Sequence, residues 1–302
     1  MRRIAGSAGT RLAGFAAAAV LVFTGAWTAG AVAGGTPVGS RTVVQAGTET
    51  TSAASFEGVP GGVLGTGAGY TLTPVRTVFP WRKRAEVAFT VTGSDGRPVT
   101  RFDTPPGGAP VLDAALVRRD DAGYTRLHPV LGPDGVWRAP VTFPGQGVWR
   151  LYAGFTPTGG PALDLGTDVH VPGTYGAFTF PSDERSGRCH GSDEQVRLDG
   201  ALLAGGESRL YATVSRAGRP VTDLEPAGGG AFGLMTAVRQ GDLVRVPVQP
   251  QVTGAHAGDR AGPGVAFTTT VPAPGSYRLF LDYRSGGTLR SCEFTVSTAA
   301  RS

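Results

Sequence analysis

The chain has 302 residues, of which 48 are glycine and 23 are proline, while charged residues make up only 17%. At about 100–200 residues per domain, this length predicts two domains, and so many helix-breaking residues exclude a long helical bundle. The net charge is +5, but no basic run is interleaved with aromatic side chains as nucleic-acid binding requires. Nucleic acid is therefore excluded as an expected partner.

Residues 1–33 have the features of an export segment. The positively charged Met1-Arg2-Arg3 precedes an uncharged, mostly apolar stretch of 22 residues, Leu12–Ala33. This stretch is longer than the usual core of a signal peptide and long enough to span a hydrocarbon layer of about 30 Å. Ala31-Val32-Ala33 also resembles a cleavage site, so a cleaved signal peptide remains the alternative to the favoured signal anchor. Both interpretations place residues 34–302 outside the cytoplasm, with the membrane as a partner of the N-terminal segment.

Residues 34–67 are rich in Gly, Thr, Ser and Ala and are nearly uncharged. Such a composition buries too little apolar surface to fold. We therefore predict a disordered stalk over this range.

An internal repeat organises the rest of the chain. Three pairs of segments recur in the same order, 122 to 128 residues apart: Gly96–Thr100 and Gly218–Thr222, Gly147–Tyr152 and Gly275–Phe280, Asp168–Val171 and Glu293–Val296. Fixed order and nearly constant spacing indicate two copies of one domain. We assign copy 1 to residues 68–172, a linker to 173–192, copy 2 to 193–297 and a tail to 298–302.

Each copy contains seven or eight short segments in which apolar residues alternate with polar ones, such as Glu86–Val91 and Tyr277–Tyr283. Alternation is typical of strands with one buried and one wet face, and regular short strands favour an immunoglobulin-type sandwich. The predicted fold class is all-β, with two tandem immunoglobulin-like β-sandwich domains following an N-terminal transmembrane or signal helix and the flexible stalk.

Several motifs resemble those of an uncharacterised family of actinobacterial exported proteins with tandem immunoglobulin-like domains. In copy 1 they are Val117-Arg118-Arg119-Asp120, Leu127-His128-Pro129 and Asp134-Gly135-Val136-Trp137; in copy 2 they are Ala231-Phe232-Gly233, Ala237-Val238-Arg239 and Gly241-Asp242-Leu243. The resemblance covers about residues 68–297 and the membrane segment. It implies the same fold and, through the histidine pairs of that family, a role in handling heavy metals.

The chain departs from that family at most of the expected histidines. Arg126, Leu234, Pro247 and Gln249 stand where the family pattern has histidine. A copper or zinc site needs two to four converging ligands, so the resemblance implies a mostly lost metal site. His128, His170 and His190 are the remaining candidate ligands, with copper or zinc as the alternative to the expected absence of a cofactor.

The two cysteines, Cys189 and Cys292, are most simply a disulfide in an oxidising compartment. Two free thiols, or a metal site that also uses His190, are the alternatives.

Three further sets of residues have structural interpretations. Arg150 and Arg278 are expected to pair with an acid on a neighbouring strand. The basic run Trp81–Arg84 is interpreted as a solvated strand entry, with a phosphate-binding patch as the alternative. The large aromatic side chains are expected in the core: Trp137, Trp149, Tyr277 and Phe280.

No nucleophile elbow, zinc-protease motif or phosphate loop is present in the sequence. The predicted function is therefore a non-catalytic binding or interaction protein of the cell envelope, anchored or secreted, with an envelope protein as its partner. The alternative is a copper- or zinc-handling protein, and an enzyme is not expected.

Overall fold

The computed structural model describes residues 61–105, 110–174, 179–189 and 191–299. Within these ranges the regular secondary structure consists of β-strands and turns and contains no helix. The predicted all-β fold of two tandem sandwiches is confirmed. The segment predicted to span the membrane or to be cleaved, residues 1–33, lies outside the described residues.

The described ranges offer no helix of sufficient length and apolarity to cross a bilayer.

Sandwich 1 comprises the strands between residues 66 and 171. They are β1 (Thr66–Gly67), β2 (Tyr70–Pro74), β3 (Arg84–Thr92), β4 (Leu112–Arg118), β5 (Tyr124–Leu127), β6 (Val130–Leu131), β7 (Val136–Thr142), β8 (Gly147–Phe155) and β9 (Leu163–Val171). One sheet has the order β1-β2-β3-β7-β6 and the other the order β5-β4-β8-β9.

Sandwich 2 comprises the strands between residues 186 and 299. They are β10 (Ser186–Arg188), β11 (Glu194–Gly200), β12 (Leu202–Leu203), β13 (Glu207–Arg216), β14 (Arg219–Pro220), β15 (Gly233–Arg239), β16 (Arg245–Val246), β17 (Val248–Pro250), β18 (Gly264–Thr270), β19 (Ser276–Ser285) and β20 (Thr288–Ala299). One sheet has the order β10-β11-β13-β18-β17, with β14 beside β13, and the other the order β12-β20-β19-β15-β16.

The strand order defines both sandwiches as immunoglobulin-like. In each, the first, second, fifth and fourth main strands form one sheet, while the third, sixth and seventh form the other. In each, the chain also crosses between sheets near its start and pairs in parallel with the last strand. Val78 makes this parallel bridge with His170 in sandwich 1, and Leu202 pairs with Thr298 in sandwich 2.

Alternation along the strands places every second side chain in a core. In β3, Val87, Phe89 and Val91 are fully buried, while Ala88 and Thr90 between them are half-buried. Each sandwich has its own hydrophobic cluster. As predicted, Trp137 and Trp149 lie in the core of sandwich 1 and Tyr277 in that of sandwich 2, whereas Phe280 lies elsewhere, as described below.

The repeated sequence segments occupy equivalent places in the two sandwiches, except that the segment in the last strand is shifted in register. The shared Gly-Arg-Pro-Val-Thr segment folds back on the preceding strand in both: Val99 donates to Val91 and Val221 donates to Val214. In the last strand, however, Trp149 pairs with Val169 and the corresponding Tyr277 pairs with Val296. The sequence match of Val169 with Phe294 was therefore wrong by two residues, because it assumed hairpins that differ in length by three residues, whereas they differ by one.

The region predicted as a linker, residues 173–192, is partly built into sandwich 2. Strand β10 pairs with β11, and Glu184 bridges to Thr295. The predicted disulfide between Cys189 and Cys292 is present, with a Cα–Cα distance of 4.4 Å, and both cysteines are buried. The linker prediction was wrong for this part. Strand β10 has only three residues, too few to show an alternating pattern, and the disulfide at Cys189 holds its end in place.

The predicted stalk, residues 34–67, ends earlier than expected. Residues 61–67, called the strap below, are packed and hydrogen-bonded: Gly62 donates to the backbone of Asp164 and Gly166 donates to that of Leu64. A Cβ at Gly166 would lie 1.8 Å from the backbone oxygen of Gly62. The strap can therefore lie close against β9 because its glycines have no side chain. From composition alone, the same glycines had indicated a flexible segment. The rest of the predicted stalk, residues 34–60, lies outside the described residues.

Replacing both cysteines with serine (Cys189→Ser with Cys292→Ser) should lower the free energy of unfolding by about 2–5 kcal/mol, because the bond closes a long loop of the unfolded chain. The sequence separation of the cysteines is 103 residues. Urea unfolding with and without reductant measures this difference. Equal midpoints for the oxidised protein and the double variant would contradict the prediction.

Candidate functional site between the two sandwiches

The central strands of one sheet in each sandwich are buried on both faces. In β19, Tyr277, Leu279 and Leu281 point into the core of sandwich 2, while Arg278 and Asp282 on the opposite face are also buried. β4, β8 and β15 show the same nearly continuous burial. The expectation of one wet face per strand is therefore wrong for these strands, because the two sandwiches cover each other there.

A third hydrophobic cluster fills the junction. Its side chains come from both sandwiches: Ala115, Val117, Tyr124, Tyr152, Val238, Leu243 and Phe280. The rings of Tyr124 and Phe280 stack in parallel, with centroids 4.4 Å apart and an interplanar angle of 5°. The Tyr152 hydroxyl donates to the backbone oxygen of Leu243 at 2.6 Å. Each buried phenol thus keeps a polar partner while its ring contributes apolar contact.

Equivalent positions of the two copies make these contacts. Tyr124 on β5 pairs with Val117, and Arg245 on β16 pairs with Val238, one repeat later. Tyr124 stacks on Phe280, while the Arg245 guanidinium lies 5.8 Å from the ring centre of Tyr152, the residue equivalent to Phe280. The copies therefore meet through the same face, as subunits do across an isologous dimer interface.

Arg126 lies at the centre of the junction. Its side chain is 7% exposed and donates from Nε to Asp282 at 2.7 Å and from Nη2 to the Thr236 hydroxyl at 2.9 Å. Its Nη1 also bonds to Asp113. Tyr124 donates its hydroxyl to the same Asp282 oxygen at 2.6 Å. One guanidinium thus joins carboxylates from both sandwiches in a charge-assisted network.

Arg245 makes the corresponding contacts from sandwich 2. Its Nη2 bonds to Asp113, and its Nε lies 3.4 Å from Asp164. Burial disfavours the ionised form of Asp113, but Arg126 and Arg245 outweigh it and lower the pKa of Asp113. Burial dominates at Asp164, whose pKa rises to about 6 although Arg245 opposes the change. Asp164 Oδ1 is buried without a hydrogen-bond partner.

A cavity of about 360 Å³ opens beside Arg245, within the size range of small-ligand sites. Its walls are mostly apolar and come from the strap, β9 and the β15–β17 region: Leu64, Leu163, Leu165, Met235, Val246 and Val248. Asp113, Asp164 and Arg245 supply the charged groups. Gly154 also lines the cavity at the position equivalent to Asp282. The cavity exists on this side of the junction because glycine leaves open the space that Asp282 fills on the other.

The strap closes one end of the cavity and contacts both sandwiches. Arg245 donates its backbone N–H to Gly61 at 2.9 Å, and Arg150 Nη1 donates to the backbone oxygens of Gly62 at 3.0 Å and Val63 at 2.7 Å. A Cβ at Gly62 would lie 2.3 Å from the Tyr152 ring. The strap therefore requires glycine where it passes over the junction.

Asp121 is a second buried acid without a normal partner. It is 0% exposed, and neither carboxylate oxygen accepts a hydrogen bond of normal geometry, although the backbone N–H of Gly241 approaches it. Arg278 donates to the backbone oxygen of Asp121 at 3.0 Å. Burial raises the pKa of Asp121 to about 7; Arg278 opposes this rise, while Asp120 and Asp242 add to it.

The structure does not bring the candidate metal ligands together. His128 is exposed and follows β5, at one edge of its sheet, while His170 is exposed on β9, at the other edge. Three strand spacings, about 14 Å, separate these edges. Asp168, on the same strand as His170, is bound to Arg150 at 2.7 Å and Arg119 at 2.6 Å. His190 lies outside the described residues.

Across the described ranges, no three His, Cys, Asp or Glu side chains are placed to hold a metal ion.

The expected arginine pairs are present. Arg150 pairs with Asp168 on the neighbouring strand, and Arg278 pairs with Glu293 in the same way. The sequence analysis missed the junction itself, although Arg126 was noted as a departure from the family pattern. The available signal was the charged residues inside otherwise apolar strands, such as Asp113 in β4, since strands buried on both faces read as nearly continuous apolar runs.

These observations define an all-β protein in which two immunoglobulin-like sandwiches are joined face to face. A family profile described as "Domain of unknown function (DUF8832)" matches residues 190–300, which contain sandwich 2 except for strand β10. Comparison with curated protein sequences finds no match.

Three similar solved structures come from proteins named as follows. FdeC, a broadly conserved Escherichia coli adhesin, shares 16% identity at a TM-score of 0.25, covering 77% of this chain and 64% of its own. Invasin, a bacterial integrin-binding protein, shares 14% identity at a TM-score of 0.22, and the match covers 76% of this chain and 40% of the invasin chain. The D0–D1 domain of intimin shares 11% identity at a TM-score of 0.20, and the match covers 75% of this chain and 97% of the intimin chain. This chain thus spans less than two thirds of FdeC and of invasin.

Replacing Arg126 with methionine should lower the free energy of unfolding by about 3–5 kcal/mol, because it leaves the buried carboxylate of Asp282 without its cation. The matched control is Arg138→Met, since Arg138 is 39% exposed and pairs with the exposed Asp134. That change should have a much smaller effect, because exposed ion pairs contribute little to stability. Urea unfolding measures both variants, and equal effects would show that Arg126 does not hold the junction.

Asp121 should make the protein more stable in mild acid. Its pKa in the folded protein is about 7, above its ordinary value of 3.8, so the folded state holds a proton that the unfolded state releases. The stabilisation is complete below about pH 3.8 and is lost as the pH rises to about 7, by about 1.4 kcal/mol per pH unit between these values. Asp164 acts in the same direction over a narrower range.

The measurement is urea unfolding between pH 5 and pH 7 for the wild type, Asp121→Asn and Asp134→Asn. The wild type should lose stability across this range, and Asp121→Asn should lose distinctly less. Asp134 is exposed, with its pKa lowered to about 2 chiefly by the hydrogen bond from Arg138, so its variant should follow the wild-type slope. Parallel slopes for all three proteins would contradict the assignment.

Proposed function

We propose that this chain is a non-catalytic binding protein of the cell envelope that acts outside the cytoplasm. Two observations support the location. The N-terminal sequence combines Met1-Arg2-Arg3 with the apolar stretch Leu12–Ala33. The disulfide between Cys189 and Cys292 is buried, and structural disulfides form and persist in oxidising compartments.

The cavity at the junction carries the binding part of the proposal. It is assembled from three segments that are distant in sequence, namely the strap, β9 and the β15–β17 region. Arg245, which belongs to the β15–β17 region, holds the other two through its backbone hydrogen bond to Gly61 and its ion pair with Asp164. A cavity with held walls can bind a partner without first ordering them, which favours affinity.

The chemistry of the walls indicates what would bind. Apolar side chains make up most of the surface, and Asp164 adds a carboxylate that burial makes costly to ionise. An incoming N–H or ammonium group beside an apolar side chain would satisfy both features. The occupant that we propose is a segment of an envelope protein that presents such a pair of groups.

The experiment uses the full chain expressed in bacteria with a photo-crosslinking amino acid in place of Gln249, which is exposed and lines the cavity. The control carries the same amino acid at Val130, which is 71% exposed on sandwich 1 outside the cavity. Irradiation should produce a defined adduct from position 249 and none from position 130. Mass spectrometry should identify an envelope protein in the adduct.

Protease added to intact cells, after permeabilisation of any outer membrane, provides the second readout. The chain and its adduct should be digested, while a cytoplasmic marker stays intact. A protected chain would contradict the proposed location. Adducts of equal yield from both positions, or none from position 249, would contradict binding in the cavity.

A further inference from the structure

An exposed basic segment connects β2 to β3 in sandwich 1. Nine of the ten residues from Val75 to Arg84 are exposed, and the tenth, Phe79, is buried. We call this segment the basic segment. Its side chains take no part in the junction or the cavity described above.

The basic segment concentrates uncompensated positive charge. It contains Arg76, Arg82, Lys83 and Arg84 and no acidic residue. Within the part of the chain that the structure describes, none of these four side chains lies within ion-pair distance of a carboxylate. The nearest acid along the chain, Glu86, lies 3.9 Å from Arg138 instead.

Large apolar side chains are exposed between these charges. Val75 is 64% exposed, Val78 51% and Trp81 41%. The guanidinium of Arg82 lies 4.6 Å from the centre of the Trp81 ring. Side chains that combine an apolar body with a charged or polar end are typical of proteins at a membrane–water interface.

The segment is a fixed platform. Phe79 packs on Phe143 with ring centroids 5.2 Å apart and donates its backbone N–H to His170 at 2.8 Å. Val78 bridges to the same His170, and Trp81 bridges to Phe143. The exposed side chains are therefore displayed by a backbone tied to both sheets.

The immunoglobulin-like fold does not itself require these residues. In sandwich 2 the bridge equivalent to that of Trp81 with Phe143 is made by Ala204 with Val271. Gly205 then occupies the place of Arg82. The φ angles are 67° for Gly205 and 52° for Arg82, both left-handed. Glycine adopts this conformation freely, whereas a residue with a side chain does so at a cost, which often marks a functional position.

We propose that the basic segment docks sandwich 1 on an anionic phospholipid surface. Arginine and lysine would bind the phosphate head groups, and Trp81, Val75 and Val78 would contact the boundary between head groups and acyl chains. The inference rests on the extracytoplasmic location proposed above, yet vesicles test it without reference to location in the cell. Each basic residue near such a surface strengthens binding by about fivefold.

The test uses the full chain with Trp27→Phe, mixed with vesicles that contain brominated phosphatidylcholine as a quencher. The chain has four tryptophans; after this change Trp137 and Trp149 are buried, and Trp81 is the exposed one. Trp81 fluorescence should be quenched when the vesicles also contain phosphatidylglycerol and not when they consist of phosphatidylcholine alone. About 1 M salt, where the Debye length is about 3 Å, should abolish the quenching.

Two double variants with the same change in charge provide the matched comparison. Arg82→Glu with Lys83→Glu should weaken docking by at least about 25-fold, from two lost contributions of about fivefold each. Arg97→Glu with Arg219→Glu alters two exposed residues outside the basic segment and should retain most of the quenching. Arg82→Gly, which suits the left-handed backbone, should weaken docking while keeping the unfolding midpoint at least as high.

Equal quenching on neutral and anionic vesicles, or equal loss in both double variants, would overturn the proposal. A change in Trp81 fluorescence with inorganic phosphate but none with anionic vesicles would also overturn it, since it would indicate a site for a soluble anion. Failure of the crosslinking at position 249 would leave this result unaffected, because the basic segment and the cavity share no residue.

Discussion

The buried contact of Arg126 with Asp282 is the constraint on which the arrangement of the two sandwiches depends. Asp282 is 1% exposed and receives hydrogen bonds from Arg126, Tyr124 and Ser291. A carboxylate so removed from water is tolerable only while these donors stay in place. Separating the sandwiches would expose the stacked faces of Tyr124 and Phe280 and also break this network. Charge thus fixes the register of a surface that apolar contact alone would leave free to slide.

The junction is nearly symmetric, but different residues occupy some equivalent positions, so its two sides differ in structure. Equivalent strands meet, yet Phe280 faces the tyrosine Tyr124 on one side, while its counterpart Tyr152 faces an arginine, Arg245, on the other. Asp282 is matched by Gly154, and the side of the junction that carries Gly154 has the open space of the cavity. The strap lies on that same side. A duplicated domain thus produced one closed contact and one open contact through a few substitutions.

The alternation of apolar residues predicted the strands and the two cores, since β3 and its counterparts follow period 2. The burial of the second face could not be predicted in the same way. Arg278 and Asp282 occupy alternate positions of β19, as they would on a wet face, and only the facing sandwich shows that they are buried. The prediction of a disordered stalk failed over the strap for a related reason. Its glycines indicated flexibility, but Gly62 allows close contact with the Tyr152 ring.

The distribution of charge connects the junction to the outer surface. At the junction two guanidinium groups, Arg126 and Arg245, serve three carboxylates, Asp113, Asp164 and Asp282. Asp164 has the weakest partner, and burial therefore raises its pKa while that of Asp113 falls. Acids held inside in this way are not available to neutralise the outside. The net charge of +5 includes Arg2, Arg3 and Arg11, which lie outside the described residues. On the described surface, Arg82 occupies a left-handed backbone position that glycine would fill at lower cost.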